Sequence, residues 1–310
     1  MSLKNFTRRE LLQASAALGC LAATPFSVAA PEPGNTEPAR SSAVANPLNP
    51  PAKGSIPVAF LVSEGAVVID FCGPWEVFQD VMVPGRMDMA FQLFTVSEKV
   101  NAIEVSGGMK ITPNFTYENS PAAKVVVIPA QSAPSEATLE WVRKSAKSAD
   151  VVMSVCTGAY LLAQTGLLAG KAATTHHGSY IDFARKYPEI RVKRGARFVE
   201  DGNLASAGGL SSGIDLALRV VERYFGRELA KQIAYDMEYQ GQGWMSPDSN
   251  EVYAKLRTSI DNRPLCVVCS MAIDPVTALK SIYQGKTYYF CSSNHKSIFD
   301  AAPAEFTKAM

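Results

Sequence analysis

The sequence predicts an α/β protein built on a doubly wound, mostly parallel sheet, followed by a small C-terminal α+β module that carries cysteines and a histidine. Three observations predict it. Short β-branched apolar runs alternate with helical patterns from Ile56 to Tyr239, which is how strand–helix–strand units covered on both sheet faces read. One of those junctions, Val151 to Leu168, sets Cys156 at a sharp turn between an apolar strand run and a helical one. Cys266, Cys269, Cys291 and His295 gather at the C-terminal end, where too few residues follow the last helical repeat to bury much core of their own.

Taken in order, the chain opens on Phe6-Thr7-Arg8-Arg9, an apolar run from Leu11 to Ala23, and small residues at Ser27 to Ala30. A basic region, a short apolar region and an A-x-A-like site with paired arginines read as a twin-arginine (Tat) signal peptide over residues 1–30, implying export to the periplasm. The run is too short for a permanent membrane span. Residues 31–55, rich in Pro, Ala, Ser and Asn without apolar periodicity, read as a disordered linker.

The main domain is expected over 56–241. Pro57–Val62 is a strand; Asp70 follows at a turn, and Gly73-Pro74 opens a helix with proline suited to the first position. Phe91–Val96 and Lys124–Pro129 are strands, the second continuously apolar from Val125 and therefore central. An amphipathic helix over Thr138–Ala149 leads back to the strand that ends at Cys156. Beyond the turn come a helix, a short strand Ala172–Thr175, His176-His177, a hairpin turning at Asp201-Gly202, and helices over Ile214–Phe225 and Glu228–Tyr239. Residues 242–262 form a connector with a helix over Glu251–Ile260, and 263–310 form the module.

Cys156 stands where open α/β sheets keep their sites, at the carboxyl end of a parallel strand. Gly158 removes a side chain where strand and helix must approach. The helix N-terminus favours a thiolate, which predicts a thiol titrating below an ordinary cysteine, and its free N–H groups, Thr157's among them, suit an oxyanion. Asp70 can face Cys156 from the end of the first strand, cap the helix that follows, or do both. Glu76 is a second carboxylate. The alternative for Cys156 is a buried, inert cysteine.

In the module, Cys266 and Cys269 lie on a C-x-x-C turn, Cys291 closes a hairpin, and His295 follows one helical turn later. That set fits a metal site whose closure stabilises a small fold, with zinc the default by ligand type and copper(I) also suited to thiolates plus Met271. A Cys266–Cys269 disulfide is the competing reading. With Cys72 and Cys156 in the main domain, an odd number of mature cysteines cannot all pair.

The blocks Asp70-Phe71-x-Gly73-Pro74-x-Glu76-Val77-Phe78, Ser154-Val155-Cys156-Thr157-Gly158-Ala159, Gly166 to His176, and Ser206-Ala207-Gly208 with Gly213-Ile214-Asp215 resemble the ThiJ/PfpI family of the class I glutamine-amidotransferase-like superfamily. They fit the branch that holds isonitrile hydratases and the N-terminal domains of AraC-type regulators. The resemblance implies a flavodoxin-like fold, Cys156 as nucleophile with Asp70 as its acidic neighbour, the Thr157 N–H in an oxyanion site, and a homodimer. In two places the sequence departs from the family. Ala130-Gln131 stands where Gly-Gly is common, and Thr157 stands where peptidase-like members carry histidine, which disfavours a peptidase. His176 is read as a structural core histidine. The module, through Cys269-x-Met271, Tyr283-x-Gly285-Lys286-x-Tyr288-Tyr289-Phe290-Cys291-Ser292 and His295, resembles the metal-associated YHS domain.

A net charge of +1 with scattered basic residues gives no nucleic-acid footprint, and no regulator-type DNA-binding motif follows the main domain. Three functions follow in order: an exported cysteine-dependent enzyme of isonitrile hydratase (hydro-lyase) type acting on a small molecule; a metal-binding or redox- and metal-sensing protein; and a non-catalytic ligand-binding protein. The cysteine chemistry itself needs no cofactor.

Overall fold

A computed structural model describes residues 45–254, 263–269 and 271–307. The signal peptide, residues 31–44 of the linker and the expected helix beyond Ala254 lie outside the described residues. The apolar runs become β1 (Ile56–Leu61), β2 (Phe91–Ser97), β3 (Phe115–Thr116), β4 (Val125–Ile128), β5 (Val151–Val155), β6 (Phe198–Asp201) and β7 (Leu204–Ala207). They form one seven-stranded sheet in the order β6-β7-β5-β4-β1-β2-β3. Every pairing is parallel except the β6–β7 hairpin at Asp201-Gly202.

β4, whose four residues are all buried, occupies the centre that its continuous apolar run predicts. The alternate side chains of β1, β4 and β5 feed two cores, one per sheet face. Val58, Val125, Val127 and Met153 pack under α1 (Val68–Gln79), α5 (Ser212–Phe225) and α6 (Arg227–Asp236). Ala59, Val126, Ile128 and Val152 pack under α2 (Glu136–Ala146), α3 (Gly158–Gln164) and α4 (Tyr180–Lys186).

The structure corrects two expectations. The helix expected to open at Gly73-Pro74 begins at Val68, so Pro74 lies inside it. Its first N–H groups are satisfied from outside: Val67 N–H donates to the Ala130 carbonyl, and Val68 N–H to Ser106 Oγ at 3.0 Å. Gly73 serves packing instead, because a Cβ there would lie 2.9 Å from Ile214 of α5. The second concerns the linker: from Ala45 onward the chain lies against the domain. Arg219 and Arg223 donate to the carbonyls of Ala45 and Asn46, each at 2.8 Å, and Leu48 N–H donates to the Arg223 carbonyl. Both arginines are buried and paired with Glu200, with Arg219 also bound to Glu222.

The module adds a hairpin, β8 (Leu279–Tyr283) and β9 (Lys286–Phe290), followed by α7 (Ser293–Ala301) and α8 (Pro303–Thr307). Cys266, Val267, Val268, Phe290, Phe299 and Phe306 form its small core.

Among the described glycines of the main domain, Gly158 leaves the least room for a side chain. A Cβ there would run into the Ile128 carbonyl oxygen and sit 2.8 Å from the Pro129 carbonyl carbon. Gly158→Ala is expected to destabilise the fold by about 1–3 kcal/mol through overpacking, read as a lowered Tm in thermal melts.

Candidate active site and metal centre

β5 ends at Cys156, whose φ of 57° lies in the left-handed region that a residue with a Cβ avoids. Three contacts hold the strained residue. Cys156 N–H donates to the Gly208 carbonyl at 2.9 Å, its carbonyl accepts from Thr175 Oγ1 at 3.0 Å, and Gly158 presses the turn against β4. The thiol is therefore turned off the strand into a nearly closed site, 7% exposed. The N–H groups of Thr157 and Leu210 and the Thr157 hydroxyl lie close enough to favour a thiolate at Sγ.

Asp70, fully buried in the first turn of α1, faces the same sulfur. It does not cap its helix: Val67 holds the N-cap position and no side-chain cap is made. One carboxylate oxygen, Oδ2, accepts from the Ala130 N–H at 3.0 Å, and Oδ1 is buried without a hydrogen-bond partner. The amide at the family's usual Gly-Gly position is thus spent on Asp70. Burial pushes the Asp70 carboxyl up to about 6 against the pull of the Ala130 N–H.

The thiol expected to titrate low titrates high. Burial and the nearby Asp70 charge push Cys156 up to about 11, and the Leu210 and Thr157 donors only partly offset them. The helix that was to stabilise the thiolate is only seven residues long, from Gly158 to Gln164. Leu210, itself at φ 38°, is the contributor that sequence reasoning missed, since a backbone donor reached across the fold leaves no side-chain signal. His176 lies one residue from Thr175 but turns back on its own loop, its Nδ1 accepting from Gly178 N–H at 3.2 Å while its ring packs on Gly209. His177 stacks on Tyr253. Glu76 hydrogen-bonds to Gln79 on the exposed side of α1.

In the module, Cys266, Cys269, Cys291 and His295 converge, with one donor atom from each lying within 4.8 Å of the others. Cys291 Sγ is 3.1 Å from His295 Nδ1, Cys266 Sγ is 3.6 Å from it, and Cys269 Sγ is 3.6 Å from Cys291 Sγ. A tetrahedral ion with Zn–S of about 2.3 Å separates its sulfurs by roughly 3.8 Å, so the donors are spaced for one ion. Ser292 caps α7 by accepting from His295 N–H at 3.2 Å, which fixes the histidine one turn after Cys291. Hydrogen bonds from Cys269 and His295 favour the Cys266 thiolate, while Cys269 is pushed the other way. Backbone N–H groups of Cys269 and Cys291 also favour the Cys266 thiolate. Met271 is 55% exposed.

A strained cysteine elbow opposed by a buried carboxylate, on a parallel sheet with a Cys/His cluster appended, defines a thiol-centred α/β domain joined to a metal-type module. The DJ-1/PfpI family model matches residues 57–223, and the YHS domain model matches 267–310. The chain belongs to the DJ-1/PfpI family. An isonitrile hydratase of Pseudomonas putida is 32% identical over 190 residues, spanning 60% of this chain and 79% of that protein. An HTH-type transcriptional regulator of Pseudomonas aeruginosa is 27% identical over 53% of this chain and 49% of its own length. Among solved structures, a ThiJ/PfpI family protein from Pseudomonas syringae superposes with a TM-score of 0.53 at 24% identity, covering 69% of this chain and 83% of that one. Drosophila melanogaster DJ-1beta superposes with a TM-score of 0.52 at 18% identity, covering 60% and 98%. These superpositions establish the shared fold.

Two outcomes follow from the buried pair. Alkylation of Cys156 is expected to rise with a midpoint near pH 11, and Asp70→Asn, which removes a neighbouring negative charge, is expected to lower that midpoint; rates measured across pH decide. Because the folded Asp70 carboxyl lies above its ordinary 3.8, its stability contribution is full below that value and lost as pH rises to about 6. At about 1.4 kcal/mol per pKa unit, Asp70→Asn is expected to stabilise the protein at neutral pH by on the order of 2–3 kcal/mol and to remove the loss between pH 4 and 6 in denaturant titrations.

Proposed function

We propose that this chain is an exported, cysteine-dependent enzyme of the isonitrile hydratase type, adding water to a small electrophilic carbon through Cys156, with a metal-holding C-terminal module. The observation that carries this reading is the pair itself: a thiol held neutral beside a buried carboxylate with one free oxygen and a pKa near the working range. In this reading Asp70 takes the Cys156 proton as the sulfur bonds to the isocyanide carbon and returns it to that carbon, leaving a thioformimidate. Water then adds to the same carbon. One of its protons goes to nitrogen and the other to sulfur as the C–S bond breaks, releasing an N-formamide and the thiol. The Leu210 and Thr157 N–H groups stabilise the charge that builds on sulfur during attack and departure. The relative from Pseudomonas putida supports the reaction class.

Incubation with a small alkyl isocyanide, followed by NMR, is expected to yield the N-formamide. Cys156→Ser is expected to abolish it, and Asp70→Asn to slow it by roughly 10²–10⁴-fold. No formamide from the wild-type chain overturns the reading.

A second reading, metal binding or sensing, is supported by the four-donor cluster. Elemental analysis is expected to find one zinc or copper ion per chain, lost in Cys291→Ser. Export rests on Arg8-Arg9 ahead of the apolar run. Replacing both by lysine is expected to leave the protein in the cytoplasmic fraction; unchanged periplasmic recovery would contradict export by this route.

A further inference from the structure

We infer that Arg197 and Asp215 form a positioning pair for Cys156: together they hold the 208–211 loop, and through it the left-handed elbow, so that the thiol stays set against Asp70. This rests on the reading of Cys156 as the reacting thiol.

The 208–211 loop leaves β7 and turns into α5. Its first residue, Gly208, takes the Cys156 N–H on its carbonyl at 2.9 Å, one of the two backbone hydrogen bonds that keep Cys156 at φ 57°. Two residues on, Leu210 is itself left-handed, at φ 38°. A loop with such a residue keeps one shape only where its surroundings impose it. Arg197, just ahead of β6, does so at both ends. Its carbonyl accepts the Gly208 N–H at 2.9 Å, and its Nη2 donates to Ser211 Oγ at 3.1 Å. Arg197 and Cys156 are thus joined through Gly208 alone.

Asp215, fully buried in the first turn of α5, fixes the guanidinium. Its Oδ2 accepts from Arg197 Nε at 2.6 Å and from Tyr239 OH at 2.9 Å, and its Oδ1 accepts from the Trp244 N–H at 2.8 Å. Asp70 keeps one oxygen without a partner; Asp215 has both engaged, so it holds a shape and offers no acceptor. The connector after α6 closes on the pair from outside. Arg197 N–H donates to the Pro247 carbonyl, and Arg197 Nη1 lies 3.4 Å from Asn250 Oδ1. Gly243 permits that approach, because a Cβ there would lie 2.9 Å from both Arg197 Nε and the Asp215 carboxyl carbon. The planar fork of an arginine reaches Asp215, Ser211 and Asn250 together, which the single ammonium of a lysine does not.

The test is a double-mutant cycle on Cys156 alkylation by iodoacetamide in the full chain, followed at the Cys156 peptide by mass spectrometry. Asp70→Asn is expected to speed the reaction about three- to tenfold at a pH below the thiol's midpoint. In an Arg197→Lys background that gain is expected to fall below about twofold, because the loosened loop lets the thiol leave the carboxylate. Ser211→Ala, which unties one end of the loop, is expected to give a gain in between. Glu200→Gln, which removes a charge paired with Arg219 and Arg223 of the same helix, is the comparison: a lowered melting temperature with the full Asp70 effect kept. A full Asp70 effect in Arg197→Lys overturns the assignment. So does an equal loss of that effect in Glu200→Gln, which would make it a consequence of lowered stability. Should Arg197→Lys not fold, a full Asp70 effect in Ser211→Ala overturns the assignment instead. A wild-type chain that makes no formamide overturns the hydratase reading alone; the alkylation rates need no turnover and still decide the positioning.

Discussion

The left-handed backbone at Cys156 is the constraint on which the rest of the site depends. A residue with a Cβ rests there only because its surroundings over-determine it: the Gly208 carbonyl and Thr175 hydroxyl take its two backbone groups, and Gly158 lets the turn close on β4. The same contacts aim the sulfur away from its strand. They also bring Leu210 N–H, from the loop after β7, to the thiol. Strand order, the glycine contact and the donor set are therefore one arrangement seen from three sides.

Burial then decides the electrostatics. A thiol and a carboxyl share a nearly closed site, and each is held toward its protonated form, Asp70 to about 6 and Cys156 to about 11. The dipole of a seven-residue helix and two backbone donors do not outweigh desolvation joined to a like charge. Such a site does not store a thiolate; it suits chemistry in which the proton leaves as the new bond forms. The unpartnered Asp70 Oδ1, buried beside the thiol, is a cost to stability.

Much of this was legible in the sequence because side chains carry it. Cys156-Thr157-Gly158 announces the elbow, the apolar run at Val125–Ile128 marks the central strand, and the spacing of Cys266, Cys269, Cys291 and His295 brings four donors together. What escaped lives in the backbone or in remote contacts. Leu210 contributes an N–H, α1 begins at Val68 because Ser106 and Ala130 satisfy its first turn, and the chain from Ala45 is tied down by Arg219 and Arg223. The high thiol pKa escaped because it depends on how deeply Cys156 and Asp70 are buried together, which local pattern does not encode. The footing of the module on α4, through Ile181 and Arg185, likewise pairs residues far apart in sequence.

The central claim is that Cys156 acts as a nucleophile deprotonated in step with attack. The most direct test is intact-mass analysis of wild-type protein mixed with a small isocyanide and quenched within the first turnover, followed by peptide mapping. A species heavier by one isocyanide, located at Cys156, formed more slowly in Asp70→Asn and absent in Cys156→Ser, is the predicted result. An unmodified Cys156 while formamide accumulates, or an adduct that forms equally fast without the Asp70 carboxylate, would contradict it.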